Sequence, residues 1–142
     1  MNNLKKHVLF LLMAVLGTTL AIAPVHAQTA RASANIPFDF VVGKTTLQAG
    51  SYRIEQQGSF VLLASAEGRK TYALLQPGSK VASRDGQPYL VFTRYGKDSF
   101  LNKIVFSIDN HYDLPRSAKE REIMAKLASG DQVAVLIQPA RY

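Results

Sequence analysis

Along most of the chain, apolar and polar side chains alternate in short runs separated by Gly, Pro, Asp or Ser, the pattern of half-buried strands. The run Ile36-Pro37-Phe38-Asp39-Phe40-Val41-Val42 places Phe38, Phe40 and Val42 on one face, and Gly43-Lys44 turns it. Tyr52 and Ile54 alternate with Arg53 and Glu55. Gly58-Ser59 is a two-residue connector of type II′ character. It leads into Phe60–Ala64, apolar on both sides and so predicted to be central in a sheet. Further strands are predicted at Thr71–Leu75, Tyr89–Tyr95, Phe100–Ile108 and Gln132–Gln138. Within Phe100–Ile108, positions 100, 104, 106 and 108 share one face, interrupted by Asn102.

One segment breaks the series. Ser117 is a good N-cap, Glu120 stands three residues on as in a capping box, and Ile123, Met124, Leu127 and Ala128 form a stripe at helical spacing. A helix over about 117–129 follows, ended by Gly130, with a final strand after it. The expected fold is mainly β: an antiparallel sandwich or small barrel of about seven to eight strands, with the helix covering an open end or one face.

The first residues read differently. Lys5 and Lys6 precede an apolar run from Val8 to Ala23, and Val25-His26-Ala27 offers small residues where a signal peptidase cuts. Residues 1–27 are therefore expected to be a cleaved signal peptide, leaving no transmembrane anchor, and 28–34 a flexible leader to one domain over 35–142. The expected location is exported, periplasmic or extracellular, in a bacterium. With no cysteine in the chain, the core must hold by packing alone. The formal charge of +7 falls to +5 once Lys5 and Lys6 leave. That scattered excess suits anionic envelope polymers and has no basic cluster for nucleic acid.

Candidate chemistry is sparse. His111 is the one histidine after residue 27, so a zinc site with several histidine or cysteine ligands is excluded, and no metal or cofactor is expected. In Asp109-Asn110-His111-Tyr112-Asp113, an extended backbone puts Asp109, His111 and Asp113 on one face. A histidine oriented by a carboxylate beside a serine would make a small hydrolase; a polar turn is the plainer reading. Gly43-Lys44-Thr45 lacks the earlier glycine of a phosphate loop, since Phe38 stands there. The carboxylates Asp39, Glu55, Glu67, Asp85 and Asp98 have no spacing that pairs them for glycoside hydrolysis. Most aromatics, Phe60 and Tyr72 included, fit as core. Tyr89, Val91 and Tyr95, however, oppose Leu90 and Phe92, and one of these faces is a candidate binding patch or cavity lining.

Two stretches carry a resemblance: Pro37-Phe38-Asp39-Phe40-Val41-Val42-Gly43 followed by Ala49-Gly50-Ser51-Tyr52-Arg53-Ile54, and Leu114-Pro115-Arg116-Ser117 followed by Glu120-Arg121-Glu122. Together they resemble a group of small exported bacterial β-rich proteins of unassigned function. The resemblance implies one exported β domain and no particular activity. The leading expectation is a non-enzymatic domain that binds an envelope component, an apolar ligand or a protein partner. The alternatives are a small hydrolase using His111 and a purely structural envelope protein.

Overall fold

The computed structural model describes residues 29–79, 86–127 and 129–139; the expected signal peptide lies outside them. The strands are β1 (Arg31–Ile36), β2 (Phe40–Val42), β3 (Thr45–Leu47), β4 (Gly50–Gln57), β5 (Phe60–Ser65), β6 (Lys70–Leu74), β7 (Gln76–Pro77), β8 (Tyr89–Tyr95), β9 (Asp98–Val105), β10 (His111–Asp113), β11 (Asp131–Leu136) and β12 (Gln138–Pro139). The helix α1 (Ala118–Lys126) stands between β10 and β11.

One sheet runs β12-β1-β4-β5-β6 and the other β11-β8-β9-β10-β7. The two share both sides. The chain passes from β6 to β7 through Leu75 and from β11 to β12 through Ile137, and both pivot residues are buried. Bent strands that switch sheets are how orthogonal corners are built. The mainly β expectation is thus met by two mostly antiparallel sheets joined at these corners, an arrangement that fits a sandwich or small barrel with one helix. The β2–β3 hairpin adds to β9 through a parallel Val41–Phe100 pairing.

The core between the sheets takes Ile36, Phe40, Ile54, Leu63, Leu90, Phe92 and Ile104, among others. Phe92 meets Phe38 and Phe40 nearly perpendicularly at 5.1 and 5.4 Å, and Phe40 meets Tyr52 at 5.2 Å. Such edge-to-face pairs add about 0.5–1.5 kcal/mol each beyond area burial. Gly58 sits at φ +60° between the paired Gln57 and Phe60, a left-handed conformation that a two-residue hairpin requires.

Four expectations need correction. Residues 31–34 belong to β1, not to a flexible leader: Ala32, Ala34 and Ile36 alternate inward against β4, and small side chains suffice because the core is full there. The run from Ile36 to Val42 is two strands, split where Asp39 turns to accept the Ala49 amide at 2.8 Å. In β9 the ladder to β8 slips between Val91 and Phe92, leaving Asn102 without an opposite residue. Because a bulge shifts the alternation, Leu101 and Ile104 face the core while Phe100 faces the opposite side. Finally, α1 ends at Lys126, where Leu127 turns extended and stands 47% exposed. Ile123 and Met124 alone of the expected stripe pack down, onto Val41, Tyr95 and Phe100 on the outer face of the second sheet; Ala128 lies outside the described residues.

Candidate functional site

His111 and Asp113 project from one face of β10, opposite Val105 and Lys103 of β9. Asp113 is already engaged: one oxygen accepts the Ser79 amide at 3.0 Å, and the other pairs with the Lys103 ammonium at 3.0 Å. Lys103 in turn donates to the Ser79 hydroxyl and carbonyl. Burial pushes the Asp113 carboxyl up, but the Ser79 amide and Lys103 outweigh it and hold it below the ordinary range. Both charges are spent on pinning the chain after β7. The imidazole takes no part. Its Nδ1 is buried with no hydrogen-bond partner among the described residues, and its Cδ2 lies where a side chain on Gly78 would collide. A triad needs that nitrogen to be held by a carboxylate. Neither Asp113 nor the exposed Asp109 holds it, and a lysine ion-paired to Asp113 is no base for Ser79.

The other carboxylates are occupied as well. Glu55 pairs with Arg31, Glu67 with Arg69 and Asp98 with Lys119; Asp85 lies outside the described residues. Among the described residues no three acidic or histidine side chains gather as a metal site.

Of the two readings given to the Tyr89, Val91 and Tyr95 face of β8, a binding patch or a cavity lining, the open patch does not form. Tyr89 and Tyr95 are 5% and 7% exposed, with Val91 half-buried between them. Tyr95 is closed over by α1 and meets Phe100 at 6.0 Å. A hollow of about 60 Å³ lies between the β3–β4 and β5–β6 connections, lined by Gln48, Tyr52, Ser65, Glu67 and Arg69. Ligand pockets run to roughly 300–1,000 Å³, so this one suits a few waters. Arg69 spans it, donating to Gln48 and Glu67.

The surface that does present itself is the outer face of the first sheet, where the sequence reading placed core. Phe60 pairs with Leu74 across β5 and β6, and Leu62 with Tyr72 one row along. Phe60 is 50%, Tyr72 57% and Leu74 44% exposed, while Leu62 is covered between its neighbours. The third row is Arg53, Ala64 and Lys70, continuous across β4, β5 and β6. Among the described residues neither of those cations has a carboxylate partner. The only acidic group on these rows, Glu55, is tied to Arg31 at 3.1 Å. The alternation Phe60, Leu62, Ala64 against Lys70, Tyr72, Leu74 was visible in the sequence. What it lacked was the knowledge that nothing in the described fold covers this side.

Comparison of the chain with protein-family models, with curated proteins and with solved structures finds no match.

Proposed function

We propose that the chain is an exported, non-enzymatic binding domain whose recognition surface is the outer face of β5 and β6. One observation carries this reading: Phe60, Tyr72 and Leu74 are large apolar side chains standing together and exposed on adjacent strands. Contiguous exposed apolar groups mark interaction sites on folded proteins. The export part of the reading rests on Lys5, Lys6, the apolar run 8–23 and Val25-His26-Ala27. The hydrolase alternative draws no support from a His111 whose Nδ1 has no partner.

The test is a thermal-unfolding screen of residues 28–142, which contain every described strand and the helix. The panel holds lipids, cell-wall fragments, oligosaccharides and divalent metals. A ligand at about 100 times its dissociation constant stabilises by about 2.7 kcal/mol, a shift of several degrees. The expected result is a shift with one chemical class that disappears in Phe60→Ser and Tyr72→Ser. A shift that survives both substitutions, or a flat panel, removes this surface from consideration.

A further inference from the structure

The outer face of the first sheet is graded along its strands. Its first row is Gln57, Phe60 and Leu74, its second Glu55, Leu62 and Tyr72, with Glu55 paired to Arg31 at 3.1 Å, and its third Arg53, Ala64 and Lys70. Successive rows lie about 7 Å apart and the whole gradient spans about 13 Å. Uncharged chain surrounds the apolar end: no ionisable acid or base other than Tyr72 occurs in residues 56–66 or 71–79, which include the hairpin tip Gln57-Gly58-Ser59 and the exposed Gln76-Pro77. That end can leave bulk water without desolvating an ion. Tyrosine has an apolar body and a polar tip suited to the boundary between acyl chains and headgroups, and cations suit the phosphate level above it.

We propose that this face docks on an anionic lipid surface, with Phe60 and Leu74 in the headgroup–acyl boundary, Tyr72 at headgroup depth and Arg53 and Lys70 among the phosphates. The inference rests on the binding-domain reading above and names its partner. Charge complementarity supports a lipid occupant, because among the described residues neither cation has a carboxylate partner, and residues 28–142 keep a net +5 once Lys5 and Lys6 of the +7 chain are removed. Area argues against a second copy of the chain. The three exposed side chains offer roughly 300 Å² of apolar surface, against about 800 Å² per partner in a stable dimer.

The experiment is sedimentation of residues 28–142 with vesicles of phosphatidylcholine alone, or with one third phosphatidylglycerol. It is run for the wild type, Phe60→Ser and the double variant Arg53→Gln/Lys70→Gln, each first checked for an unchanged unfolding midpoint. All three substituted residues are exposed, and the double variant leaves the apolar end intact should Phe60→Ser unfold. Binding is expected to the phosphatidylglycerol vesicles and to weaken about five-fold for each cation removed. It should also weaken several-fold in Phe60→Ser, and on raising salt from about 0.1 M to about 1 M, which shortens the screening length from about 10 to about 3 Å. No sedimentation of the wild type, equal binding to both vesicle types, or indifference to the substitutions overturns the proposal. If vesicles fail but an oligosaccharide or protein still loses its thermal shift in Phe60→Ser, the lipid inference falls and the binding surface stands. If no class depends on these residues, both fall.

Discussion

Asn102 donates its side-chain amide to Glu120 at 2.8 Å, while its oxygen accepts the Thr93 amide at 3.0 Å. The residue that breaks the β8–β9 ladder thus repairs the ladder with one end and anchors the helix with the other. Glu120 is 2% exposed and is the one fully buried residue of α1. Its own amide donates to the Ser117 hydroxyl at 3.0 Å, and its carboxylate faces the Ser117 amide, so the capping box forms. The helix is held to the sheet by this polar contact together with the packing of Ile123 and Met124.

Asn102→Ala leaves the Thr93 amide and a buried carboxylate without their partner. It is expected to cost about 2–3 kcal/mol, read as a lower urea midpoint. Asn102→Asp keeps the acceptor for Thr93 but sets a second carboxylate against Glu120. It should be worse than Ala at neutral pH and recover part of the loss on acidification. If both substitutions are silent, the helix is held by other contacts.

One buried and one half-buried carboxyl give opposite pH dependences. Burial lifts the Glu120 carboxyl above its ordinary value of 4.5, against the partial relief from Asn102, Arg116 and Ser117. The folded state therefore holds that proton more tightly than the unfolded chain, and stability declines as pH rises above about 4.5. Asp113 is held below its ordinary 3.8. Its contribution is present above 3.8 and is lost as pH falls toward the lower folded value. Glu120→Gln keeps an acceptor for Asn102 and should flatten the decline above pH 4.5, leaving neutral stability equal or higher. Asp113→Asn should lower neutral stability by about 1 kcal/mol, allowing for its partial exposure, and remove part of the acid loss. Chemical denaturation between about pH 3 and pH 8 checks both, since those limits bracket the ordinary carboxyl values.

Gly130 lies against the rings behind α1. A Cβ there would come within 2.6 Å of Tyr95 Cε1 and 2.7 Å of Thr93 Cγ2. Tyr95 is buried and held by Phe100 and the helix, so it has little room to give. Gly130→Ala is expected to destabilise by about 1–3 kcal/mol through overpacking. Combined with Tyr95→Leu, which frees space, the two losses should sum to less than the separate costs; strict additivity in the double-mutant cycle would refute the collision.

Strand positions were largely legible because a hairpin is specified locally. Gly58-Ser59 between Gln57 and Phe60, and Gly96-Lys97 between Tyr95 and Asp98, join residues that pair directly, and the flanking alternation needs only neighbours in sequence. Ser117 with Glu120 announced the start of the helix for the same reason. Alternation does not say which face meets another layer. Phe60 and Tyr72 are as apolar as Phe92, yet only Phe92 is opposed by a second sheet. Tyr89 and Tyr95, expected to form either a binding patch or a cavity lining, are enclosed and present no open patch.

The sequence by itself determined a mainly β chain with one capped helix and a cysteine-free core, because turn chemistry, capping and side-chain period act over a few residues. Only the tertiary structure decided that β1 begins at Arg31, that Asn102 bulges and reverses the faces of β9, and that Leu75 and Ile137 carry strands from one sheet to the other. It also decided that, among the described residues, His111 Nδ1 finds no partner and that the open apolar surface on β5 and β6 stays uncovered. Each of these depends on what a distant strand places opposite a residue, and that relation is long-range by nature.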